Sequence, residues 1–319
     1  MKKNLLHSSI ELIGLDAQNP LAFLAAIGTL RALTLMYPML DFQMAWKVNA
    51  GSWRPTLSSS TNSFDAEALC DSLADWLATP PQLKLLETIG DNLTLSPSEF
   101  GDLARVTLTN ACLSDPPDLA SLDFLAAFGS DGTWQAHSKD RSLMQDTALR
   151  TMSGAGHQHF IKFMREIIAS TSSAHLYSSL FVNWTYEDEG RGMNLRWDPI
   201  DDRRYAMRWK NPSSDPAVTM RGANRLAIEA LPLFTTATIR SDLRTTSFRT
   251  VPRRGTFWFW PIWEQPINLF AIRSLIQHPG LTVEKPLAAL SKLGVSAVFQ
   301  SQRITVGKFR NFTPAVPTN

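Results

Sequence analysis

Asn19-Pro20-Leu21-Ala22-Phe23-Leu24-Ala25-Ala26-Ile27-Gly28-Thr29-Leu30-Arg31-Ala32-Leu33 is the stretch from which the fold can be read. Asn19 carries a side chain suited to cap a helix and Pro20 the fixed φ of a first helical position, so a helix is predicted from here to just before Pro38. Leu21, Phe23, Leu24, Ile27, Leu30, Leu33 and Leu35 fall at mostly helical spacings. Ala22, Ala25, Ala26 and Gly28 are small enough to let this helix pack tightly against a strand. Residues 10–15, Ile-Glu-Leu-Ile-Gly-Leu, read as that strand, and Asp16 to Asn19 as the turn between the two.

Downstream, Phe42 to Val48 alternates loosely around Trp46 and predicts a strand, whereas residues 49–63 are rich in Ser, Thr, Asn and Gly and are expected to form a loop. Asp65 is placed to cap a helix carrying Leu69, Leu73, Trp76 and Leu77 on one face, closed by Pro80-Pro81. Short helices are expected over 82–89 and 98–110, the second opened by a Ser-Pro-Ser-Glu start signal. A glycine-rich turn at 151–159 feeds an amphipathic helix through Phe160, Phe163, Met164, Ile167 and Ile168, and Ala174 to Phe181 reads as further helix. Phe23 to Thr29 recurs faintly as Phe124 to Ser130, which is too short an echo to establish a duplication.

The acidic run Glu187-Asp188-Glu189, followed by Gly190 and Gly192, marks the expected boundary between two lobes. Beyond it, a helix is predicted from Arg221 to Leu231 and β structure over 235–240, 245–251 and 256–263. Helices are predicted over 269–276 and 286–293, and a closing hairpin over 295–306 with its turn near Gln300-Ser301-Gln302. The fold class is therefore α+β. An N-terminal, mostly helical lobe on a small sheet spans 1–186, and a C-terminal mixed α/β lobe with a basic, Trp-rich surface spans 187–319.

The 319 residues, 44% of them apolar and 10% aromatic, suffice for a packed core and exclude a disordered chain. Cys70 and Cys112 are too few for a disulfide framework or a four-thiolate zinc site, and no apolar run reaches the roughly 18 residues of a membrane span. Met1-Lys2-Lys3 is followed by Asn4, His7, Ser8 and Ser9 and not by an apolar segment, so no secretion signal is expected and the location is read as cytoplasmic.

The formal charge of +2 conceals a split. Residues 1–180 hold 12 Lys+Arg against 18 Asp+Glu, and residues 181–319 hold 19 against 11. Thirteen basic residues lie between Arg191 and Arg254, twelve of them Arg, against six acids. A guanidinium matches phosphate bidentately and stacks on bases, whereas lysine acts as a point charge, so this preference points to a nucleic acid or another polyanion. Arg203, Arg204 and Arg208 are expected to contact phosphate or a base edge, Arg221 and Arg225 a backbone, and Arg249, Arg253 and Arg254 a displaced strand.

Catalytic signatures are absent. His157-Gln158-His159 lacks a third ligand nearby, and its i, i+2 spacing on a helix would not converge on one ion. The Ser153-Gly-Ala-Gly156 amides at a helix start suit an anion, but the lysine and hydroxyl of a P-loop are missing. Asp198, Asp201 and Asp202 form the set that a metal-dependent nuclease would need, although nearby Arg196, Arg203, Arg204 and Arg208 favour ion pairing. Phe257-Trp258-Phe259-Trp260-Pro261-Ile262-Trp263 is aromatic on both faces of a strand, as a core strand would be; the alternative is a base-stacking surface. No catalytic residue, metal site or cofactor is expected.

Five blocks carry a resemblance: Gly14-Leu-Asp-Ala-Gln-Asn-Pro-Leu-Ala-Phe-Leu-Ala-Ala-Ile-Gly28, Ser153 to Phe160, Leu195-Arg-Trp-Asp-Pro-Ile-Asp-Asp-Arg-Arg-Tyr205, Met220 to Pro232 and Trp260-Pro-Ile-Trp-Glu264. In this order they resemble proteins of type I-G (formerly I-U) CRISPR loci, best the compact large-subunit-like component of the surveillance complex, with a helicase-nuclease accessory protein as the neighbouring possibility. The resemblance implies a non-catalytic subunit of an antiviral ribonucleoprotein complex, partnered by guide RNA, target DNA, the other subunits and the helicase-nuclease, with no membrane. It implies help in recognising target DNA and holding separated strands. The rival readings are the metal-dependent nuclease and a protein-interaction scaffold without DNA affinity.

Overall fold

Helix α1 (Pro20–Met36) forms where the sequence predicts it. Asn19 Oδ1 accepts the Leu21 N–H at 2.9 Å, Pro20 opens the helix, and Tyr37 ends it one residue before Pro38. Burial is unbroken from Pro20 to Leu33, so no side of this stretch faces water. The computed structural model describes residues 8–59, 65–115, 117–134, 142–152, 158–189, 193–201, 218–306 and 309–318. Its elements form an α+β fold.

Beside α1 lies an antiparallel sheet. Strands β1 (Ser8–Glu11), β2 (Phe42–Asn49) and β3 (Ser52–Ser59) stand in the order β1-β3-β2. Strand β3 falls in the segment expected to be a loop. The turn explains the difference: Ala50 and Gly51, with φ of 50° and 82°, close a two-residue hairpin that pairs β3 with β2 along its whole length. Pro55, Thr56 and Leu57 are buried there despite the polar composition.

The predicted helices follow as α2 (Ala66–Ala78), α3 (Leu83–Ile89), α4 (Pro97–Leu113), α5 (Leu119–Phe128), α6 (Phe160–Ser170) and α7 (Ser173–Phe181). Asp65 caps α2, and Ser96 with Glu99 forms a capping box at α4. Strands β4 (Gly129–Trp134) and β5 (Met144–Asp146) pair, as do the short β6 (Asp188–Glu189) and β7 (Val218–Thr219). Among the described residues, no helix is long and apolar enough to cross a membrane.

Helix α8 (Arg221–Ala230) lies along α1. An ideal Cβ at Gly28 would stand 1.9 Å from the Leu226 carbonyl oxygen, so only glycine permits this approach. The same pair of helices buries charge. Glu229 accepts from Arg31 at 3.0 Å, Arg225 at 2.8 Å and Gln82 at 2.7 Å.

The hairpin β8 (Thr236–Ile239) and β9 (Asp242–Thr245) precedes a second antiparallel sheet built from β10 (Phe248–Val251), β11 (Gly255–Trp263), β13 (Val295–Val306) and β14 (Phe309–Phe312), with β15 (Val316–Pro317) also on β13. Between β11 and β13 come β12 (Ile267–Asn268), which returns to pair with β2, and helices α9 (Leu269–Gln277) and α10 (Pro286–Leu290). Strand β13 runs unbroken through Gln300-Ser301-Gln302, where a turn was expected. Polarity misleads here because the Ser301 hydroxyl donates to the Thr313 carbonyl at 2.6 Å and is satisfied within the sheet.

The aromatic strand is a core strand. Phe23 of α1 stacks on Trp46 and Trp260 at centroid separations of 5.9 and 5.6 Å, and Trp258 stands edge-on at 6.2 Å. Trp260 Nε1 donates to Ala17 O at 2.9 Å and Trp263 Nε1 to Met44 O at 2.7 Å, which ties the second sheet to the first. The main core takes side chains from Leu12 through Phe312, on both sides of residue 187. Phe259, Leu281, Leu290, Val295 and Val298 form a smaller cluster on the other face of β11 and β13.

Gly28→Ala is expected to destabilise the protein by roughly 1–3 kcal/mol, because the added methyl meets backbone that cannot swing aside. Thermal unfolding of the variant, read against Gly51→Ala at an open turn where left-handed strain alone acts, checks that the loss comes from helix separation.

Candidate nucleic-acid interface

Of the expected contact residues, Arg203, Arg204 and Arg208 lie outside the described residues. Arg225 is corrected. Its side chain is fully buried, with Nη1 on Glu229 at 2.8 Å and Nη2 on the Leu77 carbonyl at 2.8 Å, so it has no face to offer a nucleic-acid backbone. Burial lowers its pKa, and the Glu229 charge opposes that shift. The i, i+4 spacing of Arg225 and Glu229 was the available sign of this internal pair.

Arg221 begins α8, where its backbone N–H donates to Asp188 Oδ2 at 2.8 Å. The side chain is partly buried, its Nη1 reaching the Ser170 carbonyl at 3.5 Å. Since α8 packs on α1, α6 and α7, Arg221 is carried on a different part of the fold from the remaining three.

Arg249, Arg253 and Arg254 share the β10–β11 hairpin. Phe248 pairs with Trp258 and Thr250 with Thr256, so these four point to one face while Arg249 and Phe257 point to the other. Arg249 donates to the Thr282 carbonyl at 2.8 Å. Arg253 is exposed in the turn with φ 64°, and the exposed Arg254 guanidinium lies 5.9 Å from the Phe257 ring centre. The neighbouring β8–β9 hairpin exposes Arg240 at its turn and Arg244 on β9, the latter 3.9 Å from Asp242. Two adjacent hairpins thus present arginine to solvent. The stacking alternative for the aromatic run is corrected, because Trp258, Trp260 and Trp263 are at most 1% exposed.

Between these hairpins and the end of the second sheet lies a cleft of about 320 Å³ that sequence reasoning missed. Its walls come from β5 and the turn after it, from β9, and from the sheet face bearing Thr250, Thr256, Arg303 and Arg310. The turn is fixed in place: the Ala148 N–H donates to Thr245 Oγ1 at 2.9 Å and the Leu243 N–H to Gln145 Oε1 at 2.7 Å. Arg150 is buried, pairs with Asp146 and donates through Nε to the Met152 carbonyl at 2.8 Å. Arg303 Nη2 donates to the Arg150 carbonyl at 2.8 Å. Burial lowers the pKa of Arg303, Arg310 and Arg150 add to that shift, and Asp146 opposes it. Arg150, Arg303 and Arg310, from two segments about 150 residues apart in the chain, thus line one cleft with Asp146, and no local motif announces them.

The other candidates resolve differently. Asp198 is buried, which raises its pKa; the Ile200 N–H and the Tyr186 hydroxyl donate to it, each at 3.0 Å, and Asn19 also bonds it. Among the described residues it is an internal acceptor; Arg203, Arg204 and Arg208, which the sequence offers as partners of this cluster, lie outside them. Asp202, His157 and residues 153–156 lie outside the described residues. His159 bonds Asn92 at 3.0 Å. Among the described residues, no group of three or more His, Cys, Asp or Glu side chains is placed to hold a metal ion. No protein-family model, curated protein or solved structure matches this chain.

Arg225→Ala should cost roughly 3–5 kcal/mol, because it leaves a cavity, removes the donor to the Leu77 carbonyl and leaves buried Glu229 with Arg31 as its one described cation. Arg254→Ala should leave the unfolding midpoint unchanged. Denaturant unfolding of the two variants separates the structural arginine from the surface one.

Proposed function

We propose that this chain is a non-catalytic nucleic-acid-binding subunit of a type I CRISPR antiviral surveillance complex in the cytoplasm. In that role it helps recognise target DNA beside the guide RNA, holds separated strands and recruits the helicase-nuclease. The observation that carries the reading is the pair of exposed arginine hairpins, Arg240 with Arg244 and Arg253 with Arg254, bordering a cleft lined by further arginines. Guanidinium groups spaced along a surface suit successive phosphates, which position a strand without reading its sequence. The five sequence blocks that resemble type I-G proteins supply the biological setting.

The reading predicts steep salt dependence. In a fluorescence-anisotropy titration of a labelled single strand at several salt concentrations, the logarithm of affinity should fall linearly with that of salt. Arg253→Glu with Arg254→Glu should weaken binding and reduce the slope by about one for each phosphate that is no longer neutralised. Arg203→Glu, Arg204→Glu and Arg208→Glu together should act in the same direction. Affinity that is independent of salt, or unchanged by both sets, refutes the reading, and cleavage of the strand on adding magnesium favours the nuclease.

A further inference from the structure

Among the described residues, the cleft gathers more cationic than anionic side chains. Arg150, Arg244, Arg303 and Arg310 line it against the single carboxylate of Asp146. That carboxylate is spent on Arg150, and both side chains of the pair are at most 8% exposed. Arg303 gives Nη2 to the Arg150 carbonyl, while its Nε is enclosed and has no hydrogen-bond partner among the described residues. Arg310 forms no ion pair with a described residue.

The ladder brings the two arginines together. Arg303 pairs with Phe312 and Thr305 with Arg310, so Arg303 and Arg310 share one face as diagonal neighbours across β13 and β14. At that spacing long side chains reach a common point. Thr250 and Thr256, whose hydroxyls meet at 3.0 Å, stand on the same face beside them. Like charges this close, partly withdrawn from water, repel unless an anion lies between them.

We infer that this cleft is a phosphate-binding site, in which Arg303 and Arg310 clamp the anion and Arg150, tethered by Asp146, supplies fixed positive charge behind them. A phosphate fits better than a carboxylate because its tetrahedron of oxygens accepts from two guanidinium forks and carries the larger charge. The volume exceeds that of inorganic phosphate alone, and Leu243 and Phe248 give it an apolar wall, so the phosphate is one borne by a nucleotide unit. The assignment rests on the nucleic-acid reading only for the source of that unit, a strand. A free nucleotide offers the same chemistry.

Isothermal titration calorimetry of the full chain with adenosine 5′-monophosphate and with inorganic phosphate tests the site, and anisotropy with a 5′-phosphorylated oligonucleotide and its unphosphorylated counterpart distinguishes the sources. Saturable binding of adenosine monophosphate is expected, weakened about tenfold or more in Arg303→Gln and in Arg310→Gln. Arg310→Gln keeps the test valid should Arg303→Gln fail to fold. If the variants also weaken the oligonucleotide, the strand is the source; if only the mononucleotide is affected, the site serves a free nucleotide. Saturable mononucleotide binding without any oligonucleotide binding upholds the site and refutes the nucleic-acid reading. Absence of saturable mononucleotide and phosphate binding, with oligonucleotide affinity equal in wild type and both variants, overturns the site and leaves that reading standing.

Discussion

The contact between Gly28 and the Leu226 carbonyl is the constraint on which the rest of the structure depends. It sets the separation of α1 and α8, and that separation lets Arg31 and Arg225 reach Glu229 inside the core. A buried carboxylate between two guanidiniums is costly to desolvate and adds little net stability, but it penalises every arrangement in which the three groups fail to meet. The pair therefore fixes the register of the two helices.

From α1 the geometry propagates through aromatic rings. Phe23 sits among Trp46, Trp258 and Trp260, and the indole N–H groups of Trp260 and Trp263 reach backbone carbonyls of the first sheet and of the turn before α1. Large rings with one polar handle lock orientation as well as burying area. Strand β11 is thereby held along its apolar half, and its opposite end projects beyond the core. There the same sheet face changes from Trp258 and Phe312 to Thr256, Arg303 and Arg310, and the cleft begins where the aromatic packing stops.

Much of this framework was legible. Asn19-Pro20 and the Ser96–Glu99 box announce their helices through local capping chemistry, and the aromatic run announces a strand buried on both faces. What escaped was decided at long range. Ser52 to Ser59 becomes a strand because partners on both sides complete its hydrogen bonds, and Ser301 sits in mid-strand because Thr313 accepts its hydroxyl proton. The arginine density between 191 and 254 was visible, and the i, i+4 spacing of Arg225 and Glu229 allowed their pairing. That spacing does not tell a buried pair from a surface one, so it did not by itself separate Arg225, turned inward to Glu229, from Arg254, turned outward over Phe257. Arg150, Arg303 and Arg310 went unnoticed because each is unremarkable in its own segment and they become a site only in three dimensions.

The central claim is that a phosphate-bearing strand lies across the two arginine hairpins and the cleft that they border. Arginine-selective dicarbonyl labelling, read residue by residue by mass spectrometry with and without a single-stranded oligonucleotide, tests it most directly. The account predicts that the strand protects Arg253, Arg254 and Arg310 while Arg105, exposed on α4, labels equally in both states. Equal labelling of all four with the strand bound would contradict it.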